Sequence, residues 1–533
     1  MGGVCVDVVH MGTTYSRAMS ENSDSPSSDV RQRTMNSLRA LRERVDQALR
    51  QGADGVSDSL EARITSVTSD SPMTTVNVQG RAALALADAA TWASKKSGRG
   101  SGGMIGGMSA AASDPMIMGR INAGRPVALV TGTNGKSTTT RMLAAAARTA
   151  RRTATNEGGD NMDAGVVSAL RAGGDYEVAT LEVDEMHVPA IADKLDPSVL
   201  VLLNLSRDQL DRVGEINSIE RALRGAVNKH PGMTVVANCD DVMVTSAAWE
   251  CPNVVWVSAG LGWQGESTSC PRTGGAIIRR EVRDAGAEQD GASVSYVDWC
   301  ATKRLPDGSE FRRPQPDYSI TRDGMRVDSE ATAAASGVPV GTCLPLSLSL
   351  PGDANRGNAV QAVAAAVALG ADVREALAAT ESVESVAGRY STVSFHGREV
   401  HLLLAKNPAG WQEALSMIDR SADGLVIATN GQVADGVDLS WLWDVRFENL
   451  DDLAVVAAGE RGADLAVRLG YAGVRHRLVK NTVDAIMACP PGRVEVLANY
   501  TAFRDLKRAL DRAVRQGRES MQSATDKEGI DVR

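Results

Sequence analysis

The sequence predicts an α/β protein in two parts, a middle domain with a parallel sheet and a phosphate-binding loop followed by a Rossmann-like C-terminal α/β domain. Three observations lead there. From Pro126 onward, short β-branched runs alternate with helix-like segments, the pattern of parallel strands joined by crossover helices. A glycine-containing turn, Gly132 to Lys136, falls between an apolar strand and a helix. The alternation then restarts near Arg389 and runs for about 150 residues, a common domain size.

The strands of the first set are expected at Val127–Val130, Glu177–Val183, Ser198–Leu205, Thr234–Asn238 and Val254–Ser258. A polar insertion without periodicity covers about Leu261 to Arg326, and an Ala-rich helix follows at Asn355–Leu369. The second set places strands at Val400–Ala405, Leu425–Thr429, Leu453–Ala457 and Val494–Leu497, with helices such as Gly462–Leu469 and Phe503–Arg515. At 533 residues the chain exceeds what one core usually organises. The expected division is an extension over 1–75, a middle domain over 76–384 carrying the insertion near 261–326, and a C-terminal domain over 385–533. Within the extension, Ser20 to Asp29 has the Ser, Asp and Pro content of a disordered segment, and Arg33 to Gln51 has helical periodicity. Ser97 to Gly107 is a second flexible, Gly/Ser-rich stretch.

Composition narrows the function classes. Hydrophobic residues are 43% and charged residues 23%, and no run approaches the roughly 20 apolar residues that cross a bilayer. A net charge of −9 argues against a protein that coats nucleic acid. The seven cysteines, odd in number and widely spread, do not form a disulfide framework and fit a reducing cytoplasm. Met1 to His10 lacks the basic start and small-residue cleavage site of a secretory signal.

The turn after Val127–Val130 reads Thr131-Gly132-Thr133-Asn134-Gly135-Lys136-Ser137-Thr138. Gly132 and Gly135 let backbone N–H groups approach phosphates, the following helix N-terminus adds positive potential, Lys136 can bridge the β- and γ-phosphates, and the Ser137 hydroxyl can bind Mg²⁺. Val130 stands where the commonest form of the motif has its first glycine. The plainer reading is a structural turn, but a strand before and a helix after favour ATP. Glu182, Asp184 and Glu185 end the next strand, at the edge where ligands sit in open α/β sheets, and Glu182 could hold Mg²⁺ against Ser137. Taken alone these carboxylates read as a solvated strand end. Asn204 to Asp211 gathers polar groups at the same edge.

The loop, Glu182, the Asn204 to Asp208 segment and Gly352-Asp353-Ala354-Asn355-Arg356-Gly357-Asn358-Ala359 together resemble the ATP-binding middle domain of Mur ligases and folylpolyglutamate synthases. Arg207 to Arg212, Lys406-Asn407-Pro408-Ala409-Gly410-Trp411 and the segment Ala434 to Asp444 are similar to the MurT family within them. The resemblance covers about residues 76 to 515. It implies that Lys136, Ser137 and Glu182 bind the triphosphate and Mg²⁺, that Asn358 contacts adenine, and that Arg389 reaches the nucleotide from the second domain. It further implies amidation of the D-isoglutamyl α-carboxylate of lipid II at the cytoplasmic face of the membrane, through an acyl phosphate. Gln209 and Lys406 stand where typical Mur ligases carry histidines, which weakens a direct transfer of metal-ligand or ribose-contact roles to these two positions. Lys406 could equally be a solvated loop lysine.

The ammonia has to come from elsewhere. None of the cysteines lies in a nucleophile elbow with a histidine nearby, so the chain uses free ammonia or receives it from a glutaminase subunit, of the GatD type by the resemblance. In the segment Asp435 to Glu448, aspartates surround a Trp441-Leu442-Trp443 run that looks exposed, a candidate docking surface. The resemblance implies that an aspartate there completes the partner's Cys-His pair, Asp444 first and Asp438 second. Core tryptophans and turn-capping aspartates are the alternative. Of the four-Cys zinc pattern that many such chains carry, only Cys270 and Cys300 remain, so no structural zinc is expected. The rival functions are a stand-alone Mur-type or folylpolyglutamate-type ligase adding an amino acid, and a nucleotide-binding scaffold without catalysis.

Overall fold

A computed structural model describes residues 107–513, except 109, 112–113, 115, 157–158, 207–214, 261–266, 283–295, 384–389, 437, 449 and 451. The expectations for 20–29, 33–51 and nearly all of 97–107, the 207–212 motif and Arg389 therefore lie outside the described residues. A short helix, α1 (Ile117–Asn122), leads into β1 (Val127–Thr131) and α2 (Lys136–Arg148). All five residues of β1 are buried, because the strand is flanked on both sides and covered on both faces. Val127 and Leu129 face one core, whereas Ala128 and Val130 face the other, as strand alternation requires.

The chain continues through β2 (Thr153–Thr155), α3 (Asp163–Ala172), β3 (Val178–Glu182), α4 (Val188–Leu195), β4 (Val199–Leu202), α5 (Glu215–Lys229), β5 (Thr234–Asn238), α6 (Val242–Ala248) and β6 (Val254–Ser258). After a hairpin of β7 (Ile277–Val282) and β8 (Tyr296–Ala301) come β9 (Tyr318–Ile320), β10 (Gly324–Val327), α7 (Glu330–Ser336) and β11 (Cys343–Pro345). The main sheet runs β11-β10-β9-β6-β5-β4-β1-β3-β2. From β9 through β6 to β2 every pairing is parallel, and β10 and β11 extend the β9 edge with antiparallel pairs. The expected insertion is therefore shorter than its sequence implied. Tyr318, Met325 and Val327 are buried in main-sheet strands of three and four residues, too short to show a period.

Helices α8 (Asp353–Ala368) and α9 (Val373–Glu381) pack with α2 on one face of this sheet, and the alanines of α8 allow the close approach. The second sheet comprises β12 (Tyr390–Phe395), β13 (Arg398–Leu404), β14 (Gly424–Ala428), β15 (Val455–Ala458), β16 (His476–Leu478) and β17 (Gly492–Ala498), in the order β12-β13-β17-β14-β15-β16. Only β12 pairs antiparallel. Helices α10 (Pro408–Met417), α11 (Gly462–Tyr471), α12 (Thr482–Ala488) and a helical segment at 500–513 cover it. Among the described residues no helix is long and apolar enough to cross a membrane.

Candidate functional site

The loop between β1 and α2 is shaped by two glycines. Gly132 has φ of 140° and Gly135 φ of 87°, in the region that disfavours side chains. A Cβ on Gly132 would lie 2.9 Å from the Leu203 Cβ and 3.0 Å from the backbone of Asn204, and one on Gly135 would meet the Asn358 amide at 2.9 Å. The loop thus lies flat against the end of β4 and the first turns of α8. No side chain caps α2 at Gly135, so its first N–H groups are donors for an anion.

Asn204 holds the loop through both ends of its amide. Its Oδ1 accepts from the Asn134 N–H at 2.9 Å, and its Nδ2 donates to the Asn134 carbonyl at 3.0 Å. Thr133 is fixed likewise, donating its N–H to the Asn204 carbonyl and its hydroxyl to the Ser206 carbonyl, while the Ser206 N–H donates to that hydroxyl. The second domain meets the loop directly. Asn407, buried, caps α10 by accepting from the Gly410 N–H at 2.8 Å, and exchanges hydrogen bonds with the Asn134 amide at 3.3 Å in each direction.

Lys136 donates to the Gly132 carbonyl at 2.6 Å and lies 3.2 Å from both Glu185 oxygens. Glu182 pairs in register with Val130, next to the loop, and is 4% exposed. Its backbone is clamped by the Asn156 side chain, and its Oε1 accepts weakly from Asn161 at 3.4 Å. Glu182 and Glu185 are therefore buried groups of the site, not a solvated strand end. Burial pushes the Glu185 carboxyl up, and the Lys136 charge opposes that shift. A serine hydroxyl and a carboxylate at one sheet edge are the hard oxygen donors that suit Mg²⁺, so Ser137 and Glu182 fit that ion.

The structure brings Gly132, Thr133, Asn134, Gly135, Lys136, Ser137, Thr138, Glu182 and Asn358 to one edge of the sheet. Asp438 and Asp444 belong to the loop that follows β14 in the second domain. Asp438 is exposed and accepts from the Ser440 N–H at 2.8 Å, which holds its carboxyl below the usual range. The reading of Trp441 and Trp443 as an exposed pair needs correcting. A 3₁₀ turn, Ser440–Trp443, sends Trp441 into the core, 5% exposed and 5.4 Å from the Trp411 ring. Trp443 is 54% exposed, beside Tyr471 at 78%. The buried Arg468 guanidinium donates to the carbonyls of Leu442 and Val445 and to Glu448, which braces this loop from below. Asp435 instead binds Thr501, tying the loop to the helical segment at 500–513. Exposed Lys406 sits 5.6 Å above the Tyr500 ring.

Cys270 and Cys300 are both free thiols. Cys270 is buried with Trp299, Phe311, Leu305 and Val242, and the Trp299 N–H donates to the Cys239 carbonyl at 3.1 Å. The hairpin of the insertion is thus seated on an aromatic core. Arg313 adds a buried pair with Asp240 at 2.7 Å.

Sequence reasoning missed the roles of Asn204, Asn407 and Glu185. Each was visible as a polar residue at a strand end or in a quoted motif, but nothing local marked its partner.

Comparisons with known proteins bear on both parts of the chain. Residues 130–262 match the Mur ligase middle domain, and residues 404–503 match the MurT ligase C-terminal domain. The chain is 28% identical to the lipid II isoglutaminyl synthase (glutamine-hydrolyzing) subunit MurT of Streptococcus pneumoniae (strain ATCC BAA-255 / R6), over 77% of this chain and 93% of that one. It is 25% identical to the protein of the same name from Staphylococcus aureus (strain COL), over 73% of this chain and 88% of that one. Among solved structures, a pseudomurein peptide ligase type C from Methanothermus fervidus superposes with a TM-score of 0.55 at 17% identity, over 73% of this chain and 79% of that one. The chain is therefore similar to the MurT subunits named above, with a match to the Mur ligase middle domain followed by a match to the MurT ligase C-terminal domain.

Proposed function

We propose that this chain is the ligase subunit of a two-subunit amidotransferase, converting the α-carboxylate of D-isoglutamate in the lipid II stem peptide to the amide of D-isoglutamine with ATP. The observation that carries this reading is the braced loop with Lys136 beside Glu185, in a chain spanning 93% of a relative named as that subunit. The acceptor carboxylate attacks the γ-phosphorus and ADP leaves, giving an acyl phosphate. Ammonia then attacks the carbonyl carbon, phosphate departs, and a proton is lost to solvent.

Lys136 and the α2 N-terminus offset the charge of the triphosphate during transfer. Ser137 and Glu182 would hold Mg²⁺, whose chemistry is to neutralise phosphate oxygens. Asn358, packed on Gly135, is the residue we assign to adenine, and Arg389 is assigned to the nucleotide from the second domain. The ammonia comes from a GatD-type glutaminase docked on the loop after β14, with Asp444, or failing that Asp438, orienting the partner's histidine. The reaction takes place in the cytoplasm, at the inner face of the membrane where lipid II is made available.

The test supplies the purified chain with lipid II, ATP and either ammonium or glutamine, and reads the stem peptide by mass spectrometry. Amidation with ammonium alone, and with glutamine only after a glutaminase is added, is the expected result. Incorporation of a whole amino acid would instead establish a stand-alone peptide ligase, and no ATP turnover a scaffold.

A further inference from the structure

The ammonium of Lys136 is already committed in this structure. It donates to the Gly132 carbonyl at 2.6 Å and faces both oxygens of Glu185 at 3.2 Å. The two side chains are 12% and 9% exposed, so the pair is screened from water. A lysine has three N–H donors, and the loop carbonyl and the carboxylate take up the directions available to them. A carboxylate this buried is costly unless a cation stays beside it, and Lys136 is the cation that does so.

A triphosphate needs the same ammonium. Its β- and γ-oxygens are anions reaching for the donors that Glu185 holds, and a carboxylate and a phosphate this close to one Nζ repel each other. We propose that Glu185 is the residue that sets nucleotide affinity: it is the built-in counterion of Lys136, and the β- and γ-phosphates displace it. Binding is then an exchange of anions at one ammonium. The contact from Lys136 to Gly132 is internal to the loop and persists through the exchange, so the lysine turns without leaving its seat. The inference rests on the ATP reading above.

The exchange makes a prediction that a merely structural role does not. Glu185→Gln keeps the size and one acceptor but removes the competing charge, so it should tighten binding. Calorimetry on the full chain with Mg²⁺ and a slowly hydrolysed ATP analogue is expected to give a Kd about tenfold lower than wild type, with a parallel fall in KM for ATP and no rise in kcat. Adenosine, which lacks the phosphates, is expected to bind both proteins alike. Glu185→Asp, shorter by one methylene and still charged, should fall between the two, and it carries the test if the glutamine variant does not fold. Unchanged or weaker analogue binding by the variants, with wild-type binding intact, overturns the role of Glu185. Absence of analogue binding by the wild type overturns the ATP reading itself.

Discussion

Asn204→Leu tests the architecture of the site most directly. The leucine approximates the volume of the amide but removes both hydrogen bonds to the Asn134 backbone, at 2.9 and 3.0 Å. Each such bond contributes about 1 kcal/mol net, and leaving its backbone partner unpaired in a partly buried turn costs more. Together the loop conformation should lose about 2–4 kcal/mol. At about 1.4 kcal/mol per tenfold, kcat/KM for ATP should fall between about 30-fold and about 1000-fold. Because the loss is confined to a surface turn, the melting temperature should move by only a few degrees. The assay is ATP-dependent amidation with ammonium as donor, which leaves the partner subunit out of the measurement. Activity within about threefold of wild type, in a folded variant, would refute the claim that Asn204 positions the loop. Asn204→Asp sharpens the result. It keeps the acceptor for the Asn134 N–H, yet sets a carboxylate oxygen against the Asn134 carbonyl and near the phosphates, so it should be at least as damaging as leucine.

Further predictions address the rest of the chain. Asp444→Asn should abolish glutamine-dependent amidation in the two-subunit complex while leaving ammonium-dependent amidation within about twofold of wild type, and equal loss of both would remove Asp444 from the glutaminase reaction. Trp299→Ala should destabilise the insertion by about 3–5 kcal/mol, read as early proteolysis within the hairpin, because it empties an aromatic core and removes the indole N–H donor from the Cys239 carbonyl. Metal analysis of the purified protein is expected to find no stoichiometric zinc, and one zinc per chain would overturn that reading of Cys270 and Cys300. Asp241 is fully buried at the start of α6, and burial pushes its carboxyl up to about 6 from 3.8. A raised folded-state value means its stability contribution is complete below about pH 4 and is lost as pH rises through about 6. The stability advantage of wild type over Asp241→Asn should therefore shrink by roughly 3 kcal/mol between pH 4 and pH 7 in urea titrations. A flat difference would refute it.

What could be read in the sequence follows from burial. The inner parallel strands from β6 to β3, and those of the second sheet, were legible because coverage on both faces demands continuous apolar runs, as in Val127–Thr131 and Gly424–Ala428. The strands that escaped notice include the four edges of the two larger sheets, Thr153–Thr155, Cys343–Pro345, Tyr390–Phe395 and His476–Leu478. Three of them are only three residues long, too short to show a period, and Tyr390–Phe395 carries Ser391, Thr392 and Ser394, so none of the four gives the continuous apolar run of an inner strand. The phosphate loop was legible because its glycines and lysine are close in sequence. Its supports were not, since Asn204 grips a residue 70 positions away and Asn407 one 273 positions away. Trp441 and Trp443 were indistinguishable for a related reason. Only the 3₁₀ turn decides which of two tryptophans, two residues apart, enters the core.

The paired amides of Asn134 and Asn407 have a consequence for how the two domains work together. One amide belongs to the loop proposed to receive phosphate and the other to the cap of a helix in the domain proposed to dock the glutaminase, with no spacer between them. Any ligand that changes how tightly the loop holds that helix changes the preferred orientation of the second domain by the same free energy, and docking on the second domain acts back on the nucleotide to an equal extent. On the proposed function, fuel and nitrogen would enter at separate places, with the Asn134–Asn407 contact as the link through which each site senses the other.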